Sequence, residues 1–200
     1  MVTRDELRRS THARVRSKAG DLFQERGFAA TTVRDIATSA GVSAGTVIAA
    51  GDKNRLLVSY FDDLIEQVHR ERNTAGAQTP PSEGKTCPEL VMELLQPFVS
   101  LFMRQADLAR VYASILVAGN HHSTVFTELA ALLVDEIQAV LVQHACVSEE
   151  EAAQVANAIY LAYIGTLFTW SARTDDNESE LLDALNRTVS AICPNQEASA

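Results

Sequence analysis

Along nearly the whole chain apolar residues recur every three or four positions and strict alternation is scarce, a pattern that predicts an all-α protein. The first helix should open at Thr3, three residues before Glu6 in capping-box spacing, and run to about Gly27 with Val15, Ala19, Leu22 and Phe23 on one face. A short second helix starts at Thr31 or Thr32, carries Val33, Ile36 and Ala37 inward, and stops before Gly41. Ser43 caps a third, only about a turn and a half long, which spans Ala44 to Ala49 or Ala50 and is broken by Gly51-Asp52. A long helix from about Lys53 to Arg72 follows. Its stripe of Leu56, Leu57, Tyr60, Phe61, Leu64, Ile65 and Val68 is wide enough to need packing partners on both sides.

Residues 73–88, with three of the five prolines and little apolar matter, read as a linker or loose loop. Five more helices are predicted beyond it, at about 88–104, 106–118, 123–145, 149–173 and 177–193, which makes about nine in all. Ser148 and Glu151 repeat the capping-box spacing, and the acidic run Glu149 to Glu151 suits the positive end of a helix dipole. The 149–173 segment is rich in small residues (Ala152, Ala153, Ala156, Ala158, Ala162, Gly165, Ala172), so another backbone can approach it closely. Leu181, Leu182, Leu185, Val189 and Ile192 give the last helix an apolar stripe.

Composition narrows the class. With 46% hydrophobic and 22% charged residues in 200, the chain reads as globular, which excludes collagen, extended disorder and a disulfide-stapled mini-protein. No window approaches a membrane span and the first residues lack the apolar core of a secretory signal, so the expected location is cytoplasmic, without membrane partners. Cys87, Cys146 and Cys193, odd in number and far apart in sequence, read as reduced thiols rather than as a bridge or zinc site. The net charge of −9 hides an asymmetry: residues 1–55 carry ten Lys or Arg against six Asp or Glu, and the rest seven against twenty. Only the short basic head is suited to meet a polyanion.

That head contains TTVRDIATSAGVSAGTVIAA, a short helix, a Gly-containing turn and a second polar-capped short helix: the helix-turn-helix pattern. Ala37 allows a close crossing, Gly41 supplies the turn, and Val42 and Val47 pack on Val33 and Ile36. The other face of the second helix is left free to enter a major groove. Across residues 12–57 the chain resembles the TetR family of bacterial transcriptional regulators, in LFQERGFAATTVRDIATSAGVSAGT and in Lys53 followed by Leu56-Leu57. It departs from that family after Thr46: where aromatic residues are usual, this chain has Ile48, Ala49 and Ala50, and the segment is one residue shorter.

The expected architecture is a helix-turn-helix DNA-binding domain, residues 1–52, followed by a helical ligand-binding and dimerisation domain, 53–200, with helix 53–72 linking the two. The DNA-facing candidates are Thr32, Arg34, Ser43, Ala44, Gly45, Thr46, Ile48 and Lys53. Hydroxyls and amides at helix starts can hold phosphate oxygens, Arg34 and Lys53 can clamp the backbone, and Ile48 can meet a thymine methyl. Arg8, Arg9, Arg14 and Arg16 could add an electrostatic collar. The resemblance implies a homodimer built on the last two helices and a small-molecule cavity among the others. Aromatic and polar residues within apolar helices nominate Phe98, Phe102, Tyr112, Phe126, Asn157, Tyr160, Tyr163 and Trp170 for its wall.

Catalytic chemistry finds no support, for no phosphate loop, dinucleotide fingerprint, nucleophile elbow or zinc-protease motif is present. Glu66 and His69 have the spacing of di-metal bundles but lack a partner motif, and His121-His122 reads as an exposed connection. No cofactor, metal ligand or catalytic residue is assigned. The expected function is a ligand-responsive regulator, a repressor released from its DNA operator by a small apolar effector. The alternative is a helical ligand-binding or interaction module whose head no longer binds specific DNA.

Overall fold

A computed structural model describes residues 3–76, 84–124, 127–173 and 177–193. Among these lie nine helices and no strand: α1 Arg4–Arg26, α2 Val33–Ala40, α3 Ala44–Ala50, α4 Lys53–Gly76, α5 Cys87–Arg104, α6 Ala106–Val117, α7 Glu128–Gln143, α8 Glu149–Ser171 and α9 Glu178–Ile192. Each predicted helix is present. The largest differences are at α4, which continues through Asn73–Gly76, and at α7, which starts at Glu128 and not near residue 123. Ser123 is engaged elsewhere: its hydroxyl donates to Asp62 Oδ1 at 2.6 Å and lies 3.1 Å from the Tyr112 hydroxyl.

Caps account for where several helices begin. Thr3 and Glu6 form the expected reciprocal box, the Thr3 amide donating to the Glu6 carboxylate at 2.6 Å and the Glu6 amide to the Thr3 hydroxyl at 3.2 Å. At Ser148 the box is only half made: the hydroxyl donates to Glu151 Oε2 at 2.6 Å and caps no backbone amide. Asn177 caps α9 by accepting from the Ser179 and Glu180 amides.

The chain packs as two compact units, Met1–Leu64 with Gln105–Ser123, and Ile65–Arg104 with Thr124–Ala200. In the first, Val15, Ala19, Leu22 and Phe23 of α1 are buried together with Ile36, Ala37 and Ala40 of α2, Val47 of α3, and Leu56, Leu57, Val58 and Phe61 of α4. Phe61 stacks on Tyr112 of α6 with ring centroids 4.5 Å apart, and the Tyr60 hydroxyl donates to Gln105 Oε1 at 2.7 Å. A Cβ at Gly20 would lie 2.5 Å from the Tyr60 ring, so only glycine permits this approach of α1 to α4. In the second unit α8 packs against α7 and α9, and α5 against α7 and α9. Leu95, Phe98 and Val99 of α5, Ile137 and Leu141 of α7, Ala152, Ala156 and Ile159 of α8, and Leu185 and Val189 of α9 form its core. Of the small residues of α8, Ala152 and Ala156 serve this packing, whereas Ala153, Ala158 and Gly165 are exposed.

The cysteines correct the sequence reading. Cys87 opens α5, Cys146 lies between α7 and α8, and Cys193 caps the end of α9, yet the three sulfurs lie within 4.8 Å of one another. Cys87 and Cys146 are joined in a disulfide with Cα atoms 6.3 Å apart, and Cys193 Sγ lies 2.9 Å from that of Cys87. The expectation of isolated reduced thiols fails because α5, α7, α8 and α9 pack side by side, which sequence separation cannot reveal. No described helix is long and apolar enough to cross a membrane.

Candidate functional site

The helix-turn-helix is assembled from short-range chemistry. Thr32 and Asp35 form a capping box at α2: the Thr32 amide donates to Asp35 Oδ2 at 2.9 Å, and the Asp35 amide to the Thr32 hydroxyl at 3.2 Å. The Thr32 hydroxyl and amide together hold the Asp35 carboxyl below its ordinary range. The sequence predicts a helix start at Thr31 or Thr32 but not the box, because aspartate stands where Glu or Gln is usual. Gly41 ends α2 in the left-handed region (φ 63°, ψ 40°), and the Val42 amide returns to the Ala37 carbonyl at 3.0 Å, closing the turn. A side chain would be strained at that φ.

Helix α3 then begins at Ser43, whose hydroxyl accepts from the Thr46 amide at 3.1 Å and lies 2.9 Å from the Thr46 hydroxyl. Val47 is its one fully buried side chain, with Val42 half-buried at its start. Ser43, Ala44, Gly45, Ile48 and Ala49 are exposed, Ile48 at 64%, and Thr46 is half-buried. The first turn of α3 therefore offers two hydroxyls and a backbone free of bulky side chains, with the large apolar side chain of Ile48 exposed just beyond it. Such a surface suits phosphate oxygens and thymine methyl groups. Thr32 and Arg34 are exposed at the start of α2.

Two basic residues have internal duties that sequence alone did not suggest. Lys53 Nζ donates to the carbonyls of Phe28 at 2.7 Å and Thr31 at 3.0 Å and sits 4.2 Å from the Phe28 ring centroid. It thus gathers the α1–α2 turn against the start of α4. Arg14 donates through Nε to the Ala40 carbonyl at 3.0 Å, at the electronegative end of α2. Arg16 pairs with Asp63 at 3.5 Å, while Arg8 and Arg9 are exposed. Thr31, fully buried, donates its hydroxyl to the Gly27 carbonyl at 2.9 Å and fixes the same turn. A Lys twenty-odd residues from its carbonyl partners leaves no local pattern to read.

The residues nominated for a ligand wall are spread over both units. Tyr112 belongs to the first, stacked on Phe61. Phe98 and Phe102 on α5, and Tyr160, Tyr163 and Trp170 on α8, belong to the second; Phe102 is half-buried and the other four are buried. Burial pushes the Tyr160 hydroxyl above its ordinary pKa. Asn157 is exposed, and Phe126 lies outside the described residues. Trp170 lines a cleft of about 310 Å³ between α8 and α9, with Gly165, Thr166, Asn177 and Leu181. Phe98 also stands beside a polar cluster: His69, 4% exposed, lies with Nδ1 3.4 Å from Glu136 Oε1, and Arg72 donates to Glu136 Oε2 at 2.6 Å. Burial pushes Glu136 up, but the His69 hydrogen bond and the Arg72 charge prevail and leave it below its ordinary value. Glu66 pairs instead with Arg70 on the surface at 2.7 Å, so Glu66 and His69 do not share a site. His121 is half-buried 3.9 Å from Asp52, and His122 is exposed.

Comparison with known proteins agrees with this geometry. Residues 16–50 match the family model of bacterial regulatory proteins, tetR family. No curated protein matches the chain. Among solved structures, the chain is similar to FadR of Thermus thermophilus, a TetR-family transcriptional repressor in complex with lauroyl-CoA, at 23% identity over 94% of this chain and 98% of that one, with a TM-score of 0.65. It is also similar to a TetR transcriptional regulator from Rhodococcus sp. RHA1, at 16% identity over 95% and 98% with a TM-score of 0.61. A third is the transcriptional regulator FadR of Bacillus subtilis in complex with stearoyl-CoA, at 18% identity over 91% and 97% with a TM-score of 0.52. Residues 16–50 are thus similar to the bacterial regulatory proteins of the tetR family, and the chain has the fold seen in the TetR-family transcriptional regulators.

Proposed function

We propose that the protein is a ligand-responsive transcriptional repressor that acts in the cytoplasm, binds a near-palindromic operator as a homodimer, and leaves it when a small, largely apolar effector enters the body. The observation that carries this reading is the start of α3, where Ser43, Ala44, Gly45 and Ile48 face solvent while Val47 anchors the helix. In this reading Ser43, Thr46 and the amides of Ala44 and Gly45 meet phosphate or base edges. Thr32 and Arg34 hold the adjacent backbone, and Lys53 contributes by keeping the turn below them in place. The division of labour is that expected from sequence, 1–52 for DNA and 53–200 for ligand and partner.

Two features support a second copy of the chain and an apolar effector. On α8, Ala153, Ala158 and Gly165 are exposed beside Leu161, itself 64% exposed, a surface that a packed helix would cover. Two of the structural neighbours are complexes with long-chain acyl-CoA esters. The nominated wall residues Phe98, Phe102, Tyr160, Tyr163 and Trp170 are aromatic surfaces of the kind that line acyl-chain sites. Release requires the effector to prefer a dimer whose recognition helices no longer match successive major grooves, since equal affinity for both forms would shift nothing. Helix α4 contributes residues to both units, so it offers a continuous path for such a change.

The test is fluorescence anisotropy with duplex DNA flanking the gene, at several salt concentrations, with and without acyl-CoA esters. Specific binding should fall linearly on a log–log salt plot and weaken when the effector is added. Absence of any specific, salt-dependent binding would refute the regulator and leave the module whose head no longer reads DNA.

A further inference from the structure

Three segments distant in sequence bring their cysteines to one point of the second unit. Cys87 and Cys146 are half-buried and Cys193 is 1% exposed, and their sulfurs lie within 4.8 Å of one another. Among the described residues no other grouping of three His, Cys, Asp or Glu side chains is placed to share an ion. A single buried cysteine is ordinary core, and a pair can be a simple cross-link. A third sulfur 2.9 Å from Cys87 is explained by neither, because a disulfide uses only two.

We propose that, once the Cys87–Cys146 bond is reduced, Cys87, Cys146 and Cys193 form a three-thiolate site for one soft, thiophilic metal ion of the zinc, cadmium or copper(I) kind. Thiolates select such ions over magnesium or calcium, which prefer oxygen. Three sulfurs each about 2.3 Å from a common ion lie roughly 4 Å apart, a spacing within the observed cluster. Reaching it from the bonded state requires only that the sulfurs of Cys87 and Cys146 part, which their Cα separation of 6.3 Å accommodates. Among the described residues the group has no fourth protein ligand, and the half-buried Cys87 and Cys146 give an ion its way in.

The chemistry balances in two steps. A dithiol reductant transfers two electrons and two protons to the Cys87–Cys146 disulfide and is itself oxidised to a disulfide. A soft ion of this kind then displaces the protons of the three thiols, giving a trithiolate complex and three released protons. Because three thiol protons must leave for the ion to bind, metal affinity should fall steeply as pH drops. Binding would tie the start of α5, the α7–α8 connection and the end of α9 to a single atom. The site stands apart from the regulatory reading, and its test needs no DNA.

The experiment is a titration of the full chain, reduced with a dithiol and desalted without air, with cadmium chloride alone. A thiol-reactive dye first confirms three free thiols per chain. The expected result is one cadmium retained per chain, a thiolate-to-metal charge-transfer absorption that saturates at one equivalent, and protection of all three thiols from the dye. Cys146→Ser, at a half-buried position where the similar shape preserves the fold, should lower affinity at least about a hundredfold, since even outer-shell changes cost ten- to a hundredfold. Cys87→Ser, also half-buried, should do the same. Retention of no cadmium by a chain with three free thiols would overturn the proposal. Binding of equal stoichiometry and affinity in Cys146→Ser and Cys87→Ser would overturn it too.

Discussion

Replacing Lys53 by methionine separates two uses of a positive charge at a DNA-reading head. The ammonium donates to the carbonyls of Phe28 at 2.7 Å and Thr31 at 3.0 Å and lies over the Phe28 ring. A hydrogen bond to a charged group contributes about 1.5–3 kcal/mol when well shielded, and an exposed cation–π contact about 0.5–1. Lys53 is half-buried, so water recovers part of both when they are lost. Methionine keeps the apolar stem, which leaves a net loss of about 2 kcal/mol in the first unit. A charge held in this way has little left for a phosphate. Lys53→Met should therefore lower the unfolding free energy of the first unit, measured by urea denaturation followed by circular dichroism, by about that 2 kcal/mol, with the midpoint falling accordingly. The slope of log affinity against log salt should stay as in the parent protein. Loss of one phosphate contact per protomer would instead flatten that slope by about 1.8 in a dimer. A flattened slope with unchanged stability would refute the assignment of Lys53 as a turn-holding residue.

The remaining predictions probe the other surfaces. Arg34→Ala should behave in the opposite way, leaving the unfolding midpoint unchanged while flattening the salt slope, and Thr46→Ala should alter preference at one operator position in a binding-site selection. Gly20→Ala would place a methyl 2.5 Å from the Tyr60 ring, so it should destabilise the first unit by about 1–2 kcal/mol despite the helix-propensity gain of about 1. Gly165→Ala meets nothing within 4 Å, so it should stabilise the isolated chain by about 0.5–1 kcal/mol. If α8 packs on a second copy, the same substitution should raise the dimer dissociation constant measured by analytical ultracentrifugation. Glu136 has a folded pKa below its unfolded value, so its contribution is present above about pH 4.3 and lost as pH falls through the lowered value. Glu136→Gln should remove that part of the acid dependence of unfolding of the second unit, and an unaltered acid profile would contradict the role given to His69 and Arg72.

What could be read from sequence, and what could not, divides by the range of the interactions involved. The limits of α1, α2 and α3 are legible because each is set within a few residues: Thr3 with Glu6, a threonine at position 31 or 32, Gly41, and the cap at Ser43. The exposed start of α3 followed from the same local pattern, since Val47 alone falls on the buried side of a helix of seven residues. Lys53 shows the limit of such reading. Its charge was plain, but its carbonyl partners lie 25 and 22 residues away, so a residue that looked like a clamp on an external anion is engaged with the fold's own backbone. Tyr112 shows it again. An aromatic residue in an apolar helix is the same in sequence whether it lines a cavity or stacks on Phe61, and its pairing depends on α6 lying beside α4.

The cysteines show the same limit most strongly, because their wide spacing in sequence speaks against a shared site that the fold nevertheless builds. Cys87 and Cys146 are 59 residues apart and Cys87 and Cys193 are 106 apart, yet each sits at an end of a helical segment: the start of α5, the α7–α8 turn and the close of α9. Helices α5, α7, α8 and α9 form one packed group, α5 with α7 and α9, and α8 with α7 and α9. In such a group residues at helix ends meet at the top or bottom whatever chain separates them, and three thiols at matching ends converge without any motif. Short metal motifs are legible because one turn or loop supplies the ligands. A site built from the ends of packed helices has no such signature, and its logic becomes visible only once the order and direction of the helices are known.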